Sequence, residues 1–231
     1  MTPTDRTAYE YSFLLPDLRC ITFSVIIDPL SHEIATCPII APAWARLEFH
    51  QCAPCTLKVE EHPYCPVALS ISDLVTTFKA TPSHVECTVS CRSPDRTVMK
   101  ETKIQEGLTS ILGLLIAISG CPIMEFFKPL ARFHLPFATV DESIFRIVAM
   151  YMLRKYYQNE GMVRDHFSLG DIKDHYALVR LVNKGIFDRV HSVTQFDADK
   201  NAIITLNSLG QILEMEIDSN LESLAHLFKP Q

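Results

Sequence analysis

At residue 104 the hydrophobic repeat of the chain lengthens from two to between three and four, and this change constrains the fold more tightly than any other feature. Upstream, "YEYSFLL" and "RCITFSVIID" alternate in polarity and are rich in aromatic and β-branched residues, with Pro16-Asp17 placed for a turn; that pattern marks an antiparallel hairpin. "ARLEFHQ" alternates in the same way and is expected to be a further strand. "HVECTVSCR" and "RTVMKETKI" flank "SPD" as a second hairpin, with Val85, Cys87, Val89 and Cys91 on one face. Between the hairpins, Ser70 stands three before Asp73 in "SISDLVTTFKA", a capping-box-like start for a short helix that turns Leu74, Val75 and Phe78 to the core.

Downstream, Leu108, Ile111, Leu112 and Leu115 recur at helical spacing, followed by "DESIFRIVAMYMLRKYYQ", "LGDIKDHYALVRLVNKGIF", "NAIITLNSLGQILEMEI" and "NLESLAHLF". Asp141 is placed to open the first of these later helices and Gly161 to close it. Strands followed by helices, with no Gly/Ser linker and no internal repeat, predict an α+β protein. A β-rich part (1–103) carries a Cys-rich loop (50–66) and packs on a helical part (104–231) as one integrated domain.

A chain 48% hydrophobic and 21% charged is expected to be globular, and a net charge of -6 without a long Lys/Arg block disfavours nucleic acid as a partner. The start "MTPTDRTAYEYSF" lacks a secretory pattern, and "GLTSILGLLIAISGCPIM" is broken by Gly113, Gly120 and Pro122. The expectation is therefore a cytoplasmic protein with a buried helix and no membrane span. In a reducing compartment the cysteines at 20, 37, 52, 55, 65, 87, 91 and 121 are thiols and not a disulfide framework.

The loop "HQCAPCTLKVEEHPYC" concentrates soft ligands. Cys52 and Cys55 have the spacing of a metal knuckle, and His62 and Cys65 extend it to C-x2-C-x6-H-x2-C, while Pro54, Pro63 and Pro66 stiffen the loop. Cys121, in a Gly-Cys-Pro turn, is the other source of a fourth ligand. The expected cofactor is one structural zinc on Cys52, Cys55, Cys65 and either His62 or Cys121. An iron-sulfur cluster takes the same thiolates, but the spacing does not match the common ferredoxin patterns. A three-ligand catalytic metal is a further alternative.

A different chemistry centres on "SGCPIMEFFKPLARFHLPFATVDES". Here Cys121 would be a nucleophile or redox thiol, its pKa lowered by the NH groups of a helix start, with His134, Arg132 or Lys128 as base or positive neighbour. Against it, a histidine between Phe133 and Leu135 is ordinarily a core residue. Asp171, Asp174 and His175 read as a charged helix face. No phosphate-binding loop, dinucleotide fingerprint or nucleophile elbow is present in the sequence, and the identity of any small-molecule ligand stays open.

Taken together, "CAPC", "HPYCPVALSISDLV", "KIQEGLTSILGLLIAISGCP" and "KPLARFHLPFAT" resemble a family of uncharacterised bacterial hypothetical proteins, from about residue 47 to residue 157 and beyond. The resemblance implies a bacterial cytoplasmic source and no particular activity. The leading expectation is an interaction or regulatory module stabilised by zinc, with a protein partner or self-association through its apolar helix faces.

Overall fold

The computed structural model describes residues 7–35, 41–158, 169–194 and 197–228; Cys37 and Gly161 lie outside them. Strands β1 (Thr7–Leu14), β2 (Cys20–Ile27), β3 (Glu86–Arg92) and β4 (Thr97–Lys103) form one antiparallel sheet in the order β2-β1-β3-β4. Both expected hairpins are present, β1 with β2 and β3 with β4, and β1 also pairs with β3 so that Tyr11 lies opposite Cys91 and Phe13 opposite Val89. Alternation turns Tyr11, Phe13, Val25, Cys87, Val89 and Cys91 inward. Edge strand β4 is mostly exposed and carries Lys100, Glu101 and Lys103, charges that discourage pairing with another chain.

Helix α1 (Pro66–Phe78) and helix α2 (Ile104–Ala117) cover the inner face. The Phe78 ring lies tilted at 5.1 Å from Phe13 and 5.9 Å from the partly buried Phe23; full burial of a ring such as Phe13 or Phe78 is worth about 1.5–3 kcal/mol. Gly107 lets α2 lie directly on the sheet, because a Cβ there would sit 2.5 Å from the Phe13 ring and 2.8 Å from Val89. Outside this layer are α3 (Lys128–Arg132), α4 (Val140–Gln158), α5 (Gly170–His191), α6 (Ala198–Asp218) and the single turn α7 (Glu222–Ala225). The main core runs without a break from Tyr11 in the sheet to Ile186 on α5 and Ile203 on α6. The protein is thus α+β, with the sheet in its N-terminal half and most of the helix after it. Among the described residues no helix is long and apolar enough to cross a membrane.

Three local expectations are corrected. "ARLEFHQ" is not a strand: Ala43–Ala45 is a 3-10 turn and residues 47–50 are a further turn, with one isolated bridge from Arg46 to Tyr64. The carbonyls of Trp44, Arg46 and Leu47 that a ladder would use are taken by the Arg189 guanidinium instead. The helix after the Cys-rich loop starts not at Ser70 but with Cys65 as its cap and Pro66 in the first turn; Ser70 lies inside it and returns its hydroxyl to the Val67 carbonyl. His175 is not on a charged face, since its ring packs 4.3 Å from Phe126. At α4, Thr139 and Glu142 form the reciprocal cap, with Asp141 in the first turn.

Candidate metal centre

The Cys-rich segment is a closed loop. Leu47 donates to the Pro63 carbonyl at 3.0 Å and Cys65 to the Ala45 carbonyl at 2.8 Å, so the chain leaves and returns at one point. Within the loop Cys55 N–H bonds to the Cys52 carbonyl at 3.0 Å, the tight turn expected of the C-x2-C spacing. Cys65 leads from the loop into α1.

Cys121 repeats the local chemistry of Cys65. Each precedes a proline, and each backbone carbonyl accepts from a residue ahead in the following helical turn: Leu69 on Cys65 at 3.0 Å, Met124 on Cys121 at 2.9 Å. The thiols match as well. Amides of Val67 and Ala68 point at the Cys65 sulfur, and those of Ile123 and Met124 at the Cys121 sulfur. Cys65 is thereby set at the start of α1 and Cys121 in the turn that leads into a short 3-10 helix (Met124–Phe127), where N–H donors stabilise negative charge.

Cys52, Cys55, Cys65 and Cys121 lie within electrostatic reach of one another. Burial pushes the Cys52 thiol up to about 12, and the neighbouring Cys65, Cys121 and Cys55 groups push in the same direction. Cys121 is likewise raised, first by burial and then by its neighbours Cys65 and Cys55. This reverses the expectation of a lowered Cys121, because burial outweighs the two amide donors. His62 is exposed on the loop surface. Among the described residues, no group of three or more His, Cys, Asp and Glu side chains is already arranged so as to hold a metal ion. Cys52 is turned onto α5, its thiol donating to the Val182 carbonyl at 3.8 Å.

Two residues of α5, neither singled out by the sequence, complete the surroundings. Gly185 makes room for Cys52, since a Cβ there would lie 2.6 Å from its sulfur. Arg189 is fully buried and donates to the carbonyls of Trp44 at 2.8 Å, Arg46 at 2.7 Å and Leu47 at 3.0 Å, while its Nε has no partner. It makes no ion pair with a carboxylate among the described residues, and its charge works against the burial that raises both the Cys52 and the Cys65 thiol. A guanidinium stays charged in the interior, so it needs negative charge nearby.

The other residues of the nucleophile alternative have partners of their own. His134 Nε2 pairs with the Tyr11 hydroxyl, which also bonds Ser110 at 2.7 Å; burial, then Arg146, pushes the imidazole down to about 3. Arg132 gives its carbonyl to Tyr9 and lays its guanidinium over Phe133. Lys128 is held by Glu33 at 2.9 Å and Glu125 at 2.7 Å. Cys87 and Cys91 sit in the sheet face, each raised to about 11 by burial.

No curated protein and no solved structure matches the chain. A family model described as a domain of unknown function (DUF6901) matches residues 7–229, and the chain therefore belongs to that family.

Proposed function

We propose that Cys52, Cys55, Cys65 and Cys121 together hold one structural zinc ion, in a bacterial cytoplasmic protein that serves as an interaction or regulatory module. The observation that carries this reading is the buried Arg189 beside the thiols, with no carboxylate among the described residues paired to it. Four thiolates around zinc bear a net charge of about −2, which Arg189 and the four amides aimed at Cys65 and Cys121 are placed to offset. A thiolate set also suits zinc as a soft, tetrahedral donor group, and with all four positions filled by protein the ion contributes folding energy and no Lewis-acid chemistry. Cys121 serves better than His62 as the fourth ligand because it is drawn into the thiol group, whereas His62 faces solvent. The metal joins the loop, α1 and the turn after α2. For an interaction module, a contact surface is offered at the end of α4, where Leu153, Tyr156 and Tyr157 are exposed.

The test is metal analysis of untagged protein purified without added metal, with native thiol counting before and after a chelator. The proposal expects zinc bound to the wild type and lost from Cys52→Ser and Cys121→Ser, with retention in His62→Ala. It also expects alkylation of the four thiols only after chelation. Full alkylation of native protein, or metal loss on His62→Ala with retention in Cys121→Ser, overturns it.

A further inference from the structure

A cavity of about 580 Å³ lies between α2, α4, α5 and α6 and is closed at one side by the segment 130–140. Its volume falls within the range of sites that enclose drug-sized molecules. Leu114, Phe127, Leu130, Ile147, Val179 and Leu206 supply apolar walls. The space exists because small residues stand where helices would otherwise touch: at Gly113 a Cβ would meet only Leu206, at an ordinary 3.6 Å.

Two polar features stand out against these walls. Asn183 is only 6% exposed and lines the cavity, yet its side-chain amide has no hydrogen-bond partner among the described residues. That amide is open to the cavity, where a ligand heteroatom or a water can pair with it. Arg146 lines the cavity too. Its Nη2 donates to the Leu130 and Phe133 carbonyls at 3.1 and 2.7 Å, and its Nε and Nη1 make no hydrogen bond among the described residues. The other charges in the lining, Lys100 and Glu106, neutralise each other at 2.9 Å. Glu142, the nearest carboxylate on α4, spends one oxygen on both the backbone amide and the hydroxyl of Thr139. The lining therefore carries one guanidinium with free N–H edges, its charge offset in part by Glu142 without an ion pair among the described residues, and Ser143 and Thr139 add hydroxyls to the lining.

We propose that this cavity binds an amphipathic monocarboxylate, its apolar body between α2 and α6 and its carboxylate on Arg146. A single guanidinium, partly offset by Glu142, suits a monoanion over a phosphate ester of higher charge, and its planar fork matches a carboxylate.

Isothermal titration with dodecanoate and with dodecanol, both below their aggregation concentrations, tests it. The proposal expects saturable binding of dodecanoate at one site per chain and binding of dodecanol about tenfold weaker. Arg146→Gln removes that difference, and Gly113→Met, which fills the cavity while favouring the helix, abolishes both without lowering the melting temperature. Because Arg146 also ties down 130–133, Gly113→Met keeps the test decisive if Arg146→Gln unfolds. Absence of saturable binding, equal affinity for the two probes, or unchanged binding in a folded Gly113→Met variant overturns the proposal.

Discussion

Gly185 on α5 and Cys52 in the knuckle are packed so closely that a methyl group on the glycine would lie 2.6 Å from the cysteine sulfur. The contact fixes how deep the loop seats against the helical layer. Gly185→Ala should therefore destabilise the protein by about 1–3 kcal/mol, even though alanine is the better helix former. The same change displaces Cys52 and should reduce bound zinc. Denaturant melts with metal analysis of the same samples check both; a stabilised variant with full metal content would show that the loop yields without loss.

Arg189 joins three carbonyls of the 44–47 turn to the thiol group. Replacing it with methionine keeps the bulk and strands those carbonyls, with an expected loss of about 3 kcal/mol. Arg189→Lys should recover only part of this, since one ammonium cannot reproduce the fork. As a positive neighbour of the thiolates, its removal should also weaken zinc about 10–100-fold, the range found for residues that support metal ligands. Competition against a chromogenic chelator measures it.

Asp199 and His134 give opposite pH dependences. Asp199 is buried with one carboxylate oxygen unpartnered, and burial raises it to about 7. From the usual carboxylate value near 3.8 up to about 7 the folded state therefore holds a proton that the unfolded chain has lost, and stability falls as pH rises. His134 is lowered to about 3, so between about 6.5 and 3 the unfolded chain binds the extra proton and stability falls as pH falls. Each slope is about 1.4 kcal/mol per pH unit, and across their overlap the two largely cancel. Asp199→Asn should thus stabilise the protein at pH 8 and expose a steeper loss on acidification from pH 6 to pH 4, read from urea midpoints. A variant with the wild-type pH profile would mean that Asp199 does not titrate as described.

Tyr11 bridges Ser110 on α2 and His134 after α3 from inside the sheet. Tyr11→Phe leaves the core volume almost unchanged but strands His134 Nε2 and leaves Ser110 with the Phe137 amide, with an expected cost of about 1–3 kcal/mol. Metal content should not change, which separates general stability from the thiol group.

The strands and the main helices are legible in the chain because their periodicity is long and uninterrupted, and Gly107 over Phe13 is a detail that only packing reveals. "ARLEFHQ" misleads because seven alternating residues carry no sign that a guanidinium more than a hundred residues away takes their carbonyls. Ser70 misleads in a similar way: its spacing to Asp73 imitates a cap, while the working signal is the Cys65-Pro66 pair. The same Cys-Pro pairing recurs at Cys121, but spacing alone leaves His62 and Cys121 as alternatives for a fourth ligand. The balancing charge of Arg189, the space at Gly185 and the cavity beside Asn183 are created by α5 docking on distant segments, and no local pattern announces them.

Zinc per chain in protein purified without added metal, with Cys121→Ser alongside the wild type, tests the central claim most directly. About one zinc per chain in the wild type, lost or strongly reduced in the variant, is the expected result for a four-cysteine site. Metal-free wild-type protein that stays folded with Cys52, Cys55, Cys65 and Cys121 all open to alkylation would contradict it.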